Sequence, residues 1–325
     1  MRVQPDAGEA AGDRAALLGR MRAVLDRAGV EAPPDARLRH PAAVEVVHRV
    51  QGELRAGPLH ADRLRAAAAG FDRLPASGCA PAVPRGHLHR SVARALRSIP
   101  PRTRPDGQPV TAEVAEWRTP ERDVLVEALE VLDTVWPQSA DETRETVAEV
   151  ALLDGDAIDG YTDFTIHGAV LLNRSRLAVG RDGLPGVVRC AEALVHEGTH
   201  TRCNAAASRR PFLVPAGGPE GAPRGAGGTE ILVATPLRAD PRPLTGLFQQ
   251  VVVLARSVEF YRRLVAGGSA GSGSWDGASA AGARRALLRK GGLQAVATLS
   301  VHAGALTEEG VRVLDECAVI LRSAA

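Results

Sequence analysis

His196 and His200 lie four residues apart in the segment ALVHEGTH (193–200), and Glu197 directly follows the first of them. On a helix, residues i and i+4 project from one face, so both imidazoles can bind the same divalent metal ion. Glu197 is rotated by about 100° from His196, which brings its carboxylate within reach of a metal-bound water. Gly198 is costly inside a helix, and we expect it where a neighbouring backbone passes close by. The segment predicts a metal site with Glu197 as its catalytic residue; two exposed helix histidines are the alternative.

The third metal ligand has several candidates, of which we prefer Glu259. It lies in ARSVEFY on the next strong helix, although an ion pair with Arg262 or Arg263 is an equally good interpretation. Gln249, near the start of the same helix, is a poor ligand and is better suited to hydrogen bonding with a bound substrate or co-substrate. The remaining candidates are Cys203, which we expect to be a helix-packing thiol, His167 on the preceding strand, and Glu220 in a Gly/Pro-rich loop.

Two arginines, Arg238 and Arg242, are held among prolines in TPLRADPRP (235–243), just before a predicted helix. Two guanidinium groups on a stiff backbone suit bidentate binding of a carboxylate. The N-terminus of the following helix also favours an anion. The segment predicts an anion-binding turn; a proline-rich turn with solvated arginines is the alternative.

Hydrophobic periodicity predicts mostly helices around these residues. Before residue 110, helices are predicted over 13–28, 40–57, 60–74 and 89–99, with His87 and His89 in a loop. Alternating apolar residues predict a strand over 163–173, ahead of the helix that carries His196 and His200. Beyond that helix we predict a Gly/Pro-rich loop (211–228), a short strand in TEILVATPL, and helices over 247–264, 283–301 and 307–323.

This succession predicts a predominantly α-helical α+β fold, in which the HExxH helix packs beside a small β-sheet. We divide the chain into three parts. They are an N-terminal helical region (1–110), a metal-binding catalytic core (111–265), and a flexible loop with C-terminal helices (266–325).

Composition argues against nucleic-acid and membrane partners. The net charge is +2 and the charged residues are dispersed, without the basic run typical of nucleic-acid binding. We find neither a signal peptide nor an apolar run long enough to span a bilayer. The four cysteines are far apart in the sequence, which favours reduced thiols. We therefore expect a cytoplasmic protein.

These motifs together resemble a known family. ALVHEGTH, followed downstream by TPLRADPRPLTGLFQQVVVLARSVEFY, is similar to the HExxH-motif proteins of bacterial ribosomal-peptide (RiPP) natural-product pathways, over residues 120–264. The resemblance implies an iron(II)- and 2-oxoglutarate-dependent peptide β-hydroxylase that acts on a precursor peptide, with or without recognition of a leader peptide. It assigns His196 and His200 to iron, and Arg238 or Arg242 to the co-substrate carboxylate.

The sequence departs from that family at one position. A histidine commonly follows the PRPLxGL element, where this chain has FQQ, so that Gln249 or Gln250 replaces it. If that histidine is a ligand, the metal needs Glu259 or another group.

Two other functions fit the same residues. In a zinc-dependent peptidase of the gluzincin type, Glu197 would activate water, Glu259 would complete the zinc site, and the core would be zincin-like. In a catalytically silent protein, the N-terminal helices would bind a leader peptide.

Overall fold

The computed structural model describes residues 1–57, 71, 74, 78–214, 231–236, 238–268 and 277–323. Its helices are α1 (Ala7–Arg27), α2 (Asp35–Leu38), α3 (Pro41–Ala56), α4 (Gly86–Ser98), α5 (Thr119–Val135), α6 (Pro137–Thr146), α7 (Gly186–Arg209), α8 (Leu244–Gly268), α9 (Ala278–Val301) and α10 (Glu308–Ser323). Its strands are β1 (Ala80–Pro81), β2 (Ala112–Ala115), β3 (Glu149–Gly155), β4 (Gly160–Thr162), β5 (Ala169–Asn173), β6 (Leu232–Thr235) and β7 (Arg238–Pro243). The prediction of a predominantly helical α+β fold is confirmed. Most of the predicted helix over 60–74 and most of the predicted loop over 211–228 lie outside the described residues.

The first helices follow the hydrophobic periodicity. α1 begins at Ala7, earlier than predicted, because the Asp6 carboxylate accepts a hydrogen bond from the Glu9 N–H at 2.9 Å and caps the helix. Its buried stripe includes the expected residues Leu17, Leu18, Met21, Val24 and Leu25.

α4 corrects the prediction that His87 and His89 lie in a loop. The helix begins at Gly86, so both histidines belong to its first turn. Leu88, Val92 and Ala95 are buried at helical spacing, and Leu88 is the residue that extends this apolar face toward the N-terminus.

A five-stranded mixed sheet lies at the centre of the molecule. β3 runs parallel to β1 and β5, whereas β2 is antiparallel to β3 and β4 is antiparallel to β5. β4 is the terminal strand beyond β5. Val150 and Leu152 of β3 join one hydrophobic cluster, and Ala151 and Leu153 join another. Both faces of the sheet are therefore covered, as is usual around parallel central strands.

The continuous strand predicted over 163–173 was wrong in its first half. The Asp163 carboxylate accepts a hydrogen bond from the Thr165 N–H at 2.8 Å and starts a 3₁₀ helix, Phe164–Ile166. Gly168 then adopts a φ of +94°, which allows the chain to turn into β5. Apolar alternation alone does not reveal this local side-chain hydrogen bond.

A buried arginine fixes α7 against its neighbours. Arg202 is 0% exposed and contacts Asp13 of α1 at 2.5 Å, Glu9 at 3.0 Å and Glu142 of α6 at 3.5 Å. Arg256 of α8 also pairs with Glu142. These ion pairs tie α7 to α1, α6 and α8, because removing one partner would leave a buried charge uncompensated.

The sheet crosses the predicted boundary at residue 110. β1 comes from the first of the three predicted regions, yet it pairs with β3 of the second. α1 likewise packs against α6 and α7. No helix among the described residues is long and apolar enough to cross a membrane.

Candidate metal centre

The α7 pair, His196 and His200, faces the same side of the helix as predicted. The ring centroids are 5.2 Å apart, and both residues are half-buried. Although 38% of the His196 side chain is exposed, desolvation by the surrounding protein lowers the pKa of His196 to about 4. Nearby charges on His200 and Arg176 act in the same direction. His196 is therefore neutral at pH 7, which is the state that binds metal ions.

His200 is oriented from α8. Its Nδ1 lies 2.8 Å from Oε1 of Gln249, whose Nε2 donates to Oδ1 of Asn204 at 2.8 Å. Because the amide oxygen can only accept, Nδ1 of His200 carries the proton and Nε2 is left for a metal. Gln249 therefore orients His200 and is itself held by Asn204.

The side chain of Glu197 is held by strand β4 of the sheet. Its Oε2 accepts a hydrogen bond from the Thr162 hydroxyl of β4 at 2.6 Å, and its Oε1 lies 3.9 Å from Nε2 of His196. Gly160 of β4 makes this approach possible, since a Cβ there would lie 2.3 Å from Oε1. The carboxylate is thus buried, fixed, and directed toward the histidine.

The reason predicted for Gly198 was wrong. A Cβ on Gly198 would meet Thr143 Oγ1 at 3.7 Å and Val147 Cγ2 at 3.9 Å, which are ordinary contacts. The close backbone approach concerns the neighbouring residue Glu197, and the glycine that permits it is Gly160.

Glu259 contacts Arg262 and Arg263 and does not contact the histidine pair. Its carboxylate receives two hydrogen bonds from Arg262 and one from Arg263, each at 2.7 Å. Gln249 and Tyr261, which contact α7, are about 80° and about 160° around α8 from Glu259. The preferred third ligand is thus directed away from α7, and the ion-pair interpretation describes its contacts.

The other third-ligand candidates do not join the pair either. Cys203 is fully buried, and burial raises the pKa of its thiol to about 12, as expected of a packing residue. His167 lines an enclosed cavity of about 20 Å³ between α1 and the sheet, so it faces the core. Glu220 lies outside the described residues. Within the described ranges, no three His, Cys, Asp or Glu side chains converge as a metal site.

Arg238 and Arg242 lie on a strand, which corrects the predicted turn. β7 pairs antiparallel with β6, with Arg238 opposite Thr235 and Arg242 opposite Val233. The prolines of RADPRP are tolerated because a two-stranded sheet leaves each strand one edge without ladder hydrogen bonds. β7 ends at Pro243 and α8 begins at the next residue, so the arginine strand leads into the helix that carries Gln249.

A polar cluster that the sequence did not predict lies one turn before His196. Glu192 is 2% exposed and accepts hydrogen bonds from the Tyr261 hydroxyl at 2.8 Å and from Arg284 at 2.6 Å. Arg176 lies 3.7 Å from the same carboxylate. The available signal was the spacing of four residues between Glu192 and His196, but its partners are distant in sequence.

A second group of two histidines and a glutamate, the Glu149 cluster, was also missed. Oε1 of Glu149 lies 3.2 Å from Nε2 of His40, and Oε2 lies 2.8 Å from Nε2 of His87. His40 Nδ1 accepts a hydrogen bond from the Ala42 N–H, which leaves the proton on Nε2. Burial acts to raise the pKa of Glu149, but the hydrogen bonds from both histidines outweigh it and lower the pKa to about 2.

Comparison with known proteins adds no family: no protein-family model matches the chain, and no curated protein matches it. The resemblance to HExxH-motif peptide-modification proteins stays a prediction, as do the zincin-like core, the cofactors and the cytoplasmic location.

Proposed function

We propose that the protein is an iron(II)- and 2-oxoglutarate-dependent oxygenase that hydroxylates a side chain of a ribosomally made peptide. The observation that carries the proposal is the histidine pair of α7, oriented from α8, with an arginine-bearing strand running directly into α8. α7 supplies the histidine pair, α8 supplies Gln249 to orient His200, and β7 leads the two arginines into the start of α8. A histidine pair that can bind iron(II), and arginines that can bind a carboxylate, are the two kinds of group that an enzyme using an oxo acid needs.

The residues present fit a divalent metal ion. His196 is neutral at pH 7, and the hydrogen bond from His200 Nδ1 to Gln249 leaves Nε2 of His200 as the ligand atom. When bound by these two histidines, iron(II) supplies dioxygen activation coupled to oxidation of 2-oxoglutarate. Arg238 or Arg242 is assigned to the co-substrate carboxylate, because guanidinium groups bind carboxylates bidentately.

The terminal strand supports a peptide as the substrate. β4 pairs only with β5 in the described sheet, and its Gly160 and Thr162 contact Glu197. An extended peptide can add to the free edge of such a strand through main-chain hydrogen bonds. A peptide bound in this way would run past Glu197, which can orient a substrate group or hold a proton at Oε1.

A zinc-dependent peptidase is the second candidate, and the position of Glu197 favours it. A buried carboxylate 3.9 Å from Nε2 of His196 is placed to take a proton from a water near the pair. In that case Glu197→Gln abolishes peptide hydrolysis while the bound metal is retained.

The deciding experiment needs no peptide. Apoprotein is loaded with iron(II) without oxygen, 2-oxoglutarate is added, and the visible metal-to-ligand charge-transfer band is recorded. We expect a band in the wild type and in Glu259→Gln, and its loss in His200→Ala. Arg242→Ala and Arg238→Ala should require more 2-oxoglutarate for the same band. A wild type that shows no band and retains zinc would contradict the oxygenase and favour the peptidase.

A further inference from the structure

A second concave site lies outside the metal centre, between α3 and α4. The cleft has a volume of about 340 Å³. Three arginines line it, Arg49, Arg85 and Arg90, and Val46 and Phe71 contribute apolar surface. A ligand for this cleft must therefore combine negative charge with an apolar part.

The charges in the cleft are only partly compensated. Arg90 forms a bidentate pair with Glu45, with Nε at 3.0 Å and Nη2 at 2.5 Å from the carboxylate oxygens. In the part of the chain that the structure describes, Arg49 and Arg85 have no acidic partner. Among the described residues that line the cleft, three arginines against Glu45 leave excess positive charge, which attracts an anionic group.

The start of α4 adds to this positive potential. Arg85 occupies the N-cap position without a side-chain cap, and the N–H groups of Leu88 and His89 already bond to its carbonyl. The N–H groups of Gly86 and His87 precede the first intrahelical bonds and are directed out of the helix end. The Arg90 guanidinium lies over Gly86, since a Cβ there would be 2.8 Å from Nη1.

The floor of the cleft is fixed rather than adaptable. His87 is 2% exposed, and its Nε2 is bound to Glu149 at 2.8 Å. Because Glu149 also binds His40, the starts of α3 and α4 are both anchored to the first residue of β3. Binding at a pre-formed site loses little conformational entropy.

A continuous set of polar contacts joins the cleft to the metal centre. Glu45, which pairs with Arg90, lies 3.4 Å from Arg94, and Arg94 donates to Asp163 at 2.7 Å. Asp163 directly follows Thr162, whose hydroxyl binds Glu197. The cleft and the edge of β4 are therefore the two ends of one network of contacts that passes through buried Glu45 and Asp163.

We propose that the α3/α4 cleft binds an acidic, partly apolar segment of the peptide substrate, at a distance from the residue that is modified. The assignment of the ligand as a peptide rests on the proposed function. The cleft favours a peptide over a nucleic acid because it offers two uncompensated arginines beside apolar surface. A phosphate backbone is usually met by an extended basic track.

The test uses fluorescence anisotropy with a fluorescein-labelled peptide that alternates glutamate and leucine. A glutamine–leucine peptide and an oligo-dT of equal length serve as comparison probes. The cleft variant is Arg49→Glu/Arg85→Glu, and the matched control is Arg97→Glu/Arg122→Glu, two exposed arginines elsewhere. We expect the cleft variant to weaken acidic-peptide binding by about tenfold or more, and the control to change it less than about twofold.

Three results would overturn the proposal. They are no binding of the acidic peptide to the wild type, equal loss in the cleft variant and its control, and preferential binding of oligo-dT that the cleft variant abolishes. Arg49→Gln/Arg85→Gln replaces the cleft variant if the latter fails to fold. The charge-transfer band, recorded in the same proteins, separates the two proposals: a retained band without peptide binding removes only the cleft, and peptide binding without a band removes only the oxygenase.

Discussion

The α7 pair with Glu197 and the Glu149 cluster contain the same residue types, two histidines and one glutamate, in opposite arrangements. In the Glu149 cluster the carboxylate lies between the two imidazoles, and all three side chains are buried. Beside the α7 pair, the carboxylate is bound to Thr162, and both imidazoles are half-buried. In the first arrangement both Nε2 atoms contact the carboxylate, while in the second Nε2 of His200 is left for a ligand.

The difference shows that composition does not distinguish a structural group from a metal site. What distinguishes them is where the carboxylate is bound. Glu149 is hydrogen-bonded to His87, lies 3.2 Å from His40 and remains charged, so it closes the cluster. Thr162 fixes Glu197 with one oxygen 3.9 Å from Nε2 of His196, beyond hydrogen-bonding distance, and His200 is oriented by an amide.

Replacing the glutamate by glutamine should give the largest difference between the two groups, measured as the free energy of unfolding. Glu149→Gln places an amide N–H₂ against an imidazole N–H in a buried site, and we expect it to lower the free energy of unfolding by about 3 kcal/mol. Glu197→Gln keeps an acceptor for Thr162 and should cost less than about 1 kcal/mol. Urea denaturation with constant m-values measures both. Equal costs would contradict the distinction drawn between the groups.

A third kind of histidine sharpens the comparison, because His167 is buried away from the α7 pair and its Nδ1 has no hydrogen-bond partner among the described residues. Burial, with the charge of His48, lowers the pKa of His167 from 6.5 to about 4. The unfolded chain therefore takes up the proton first as pH falls. Stability is full above pH 6.5 and is lost between pH 6.5 and about 4, on the order of 3 kcal/mol.

We expect His167→Gln to remove most of this acid sensitivity, as measured by urea midpoints at several pH values. The charged groups lining the same cavity, Arg14, Arg39 and Glu145, are unchanged in the variant. Glu149 acts over a lower range of pH. Its charged form stabilises the fold above pH 4.5, and this effect is lost as the pH falls toward about 2. An unaltered pH profile in His167→Gln would assign the sensitivity to other groups.

Metal affinity should depend on the amide that orients His200. Gln249→Leu removes the acceptor for Nδ1, and we expect the affinity for iron(II) or zinc to fall by about 10- to 100-fold. Gln250→Leu is the matched control, since the neighbouring side chain makes no hydrogen bond to His200. Competition with a chromophoric chelator measures both variants, and similar losses in the two would remove the orienting role.

The smallest effects should come from two glycines near Glu197, with opposite signs. Gly160→Ala places a Cβ 2.3 Å from Glu197 Oε1, which displaces the carboxylate and should cost about 1 kcal/mol. Gly198→Ala meets only ordinary contacts in a helix interior and should stabilise by about 0.5–1 kcal/mol. Thermal unfolding distinguishes them; stabilisation by Gly160→Ala would show that β4 does not press on Glu197.

Local pattern predicted the elements well and the contacts between them poorly. α1, α3 and the helix with His196 and His200 follow from apolar residues at helical spacing, which is a property of short segments. The 3₁₀ turn after Asp163 depends on one side-chain hydrogen bond that interrupts an otherwise strand-like alternation. The start of α4 was missed because glycine and two histidines do not look like a helix end.

The partners of the site residues depend on how helices are rotated against each other, and spacing along the chain does not give that. Glu259 and Gln249 lie on the same helix, but only Gln249 faces α7. The Glu149 cluster joins residues from three distant parts of the chain. No local pattern in a single sequence could have brought these groups together.

Because Arg202 is buried and ion-paired, the residues that align α7 differ from those that form the candidate site, and this affects how the site can evolve. The carboxylate partners of Arg202 on α1 and α6 hold α7 in one rotation, independently of the face that carries the histidines. The scaffold therefore tolerates changes of side chain on that face. New ligand sets, and with them new metals and reactions, can arise at positions 196, 197 and 200 without a new fold, because the residues that align the helix are separate from the residues that act.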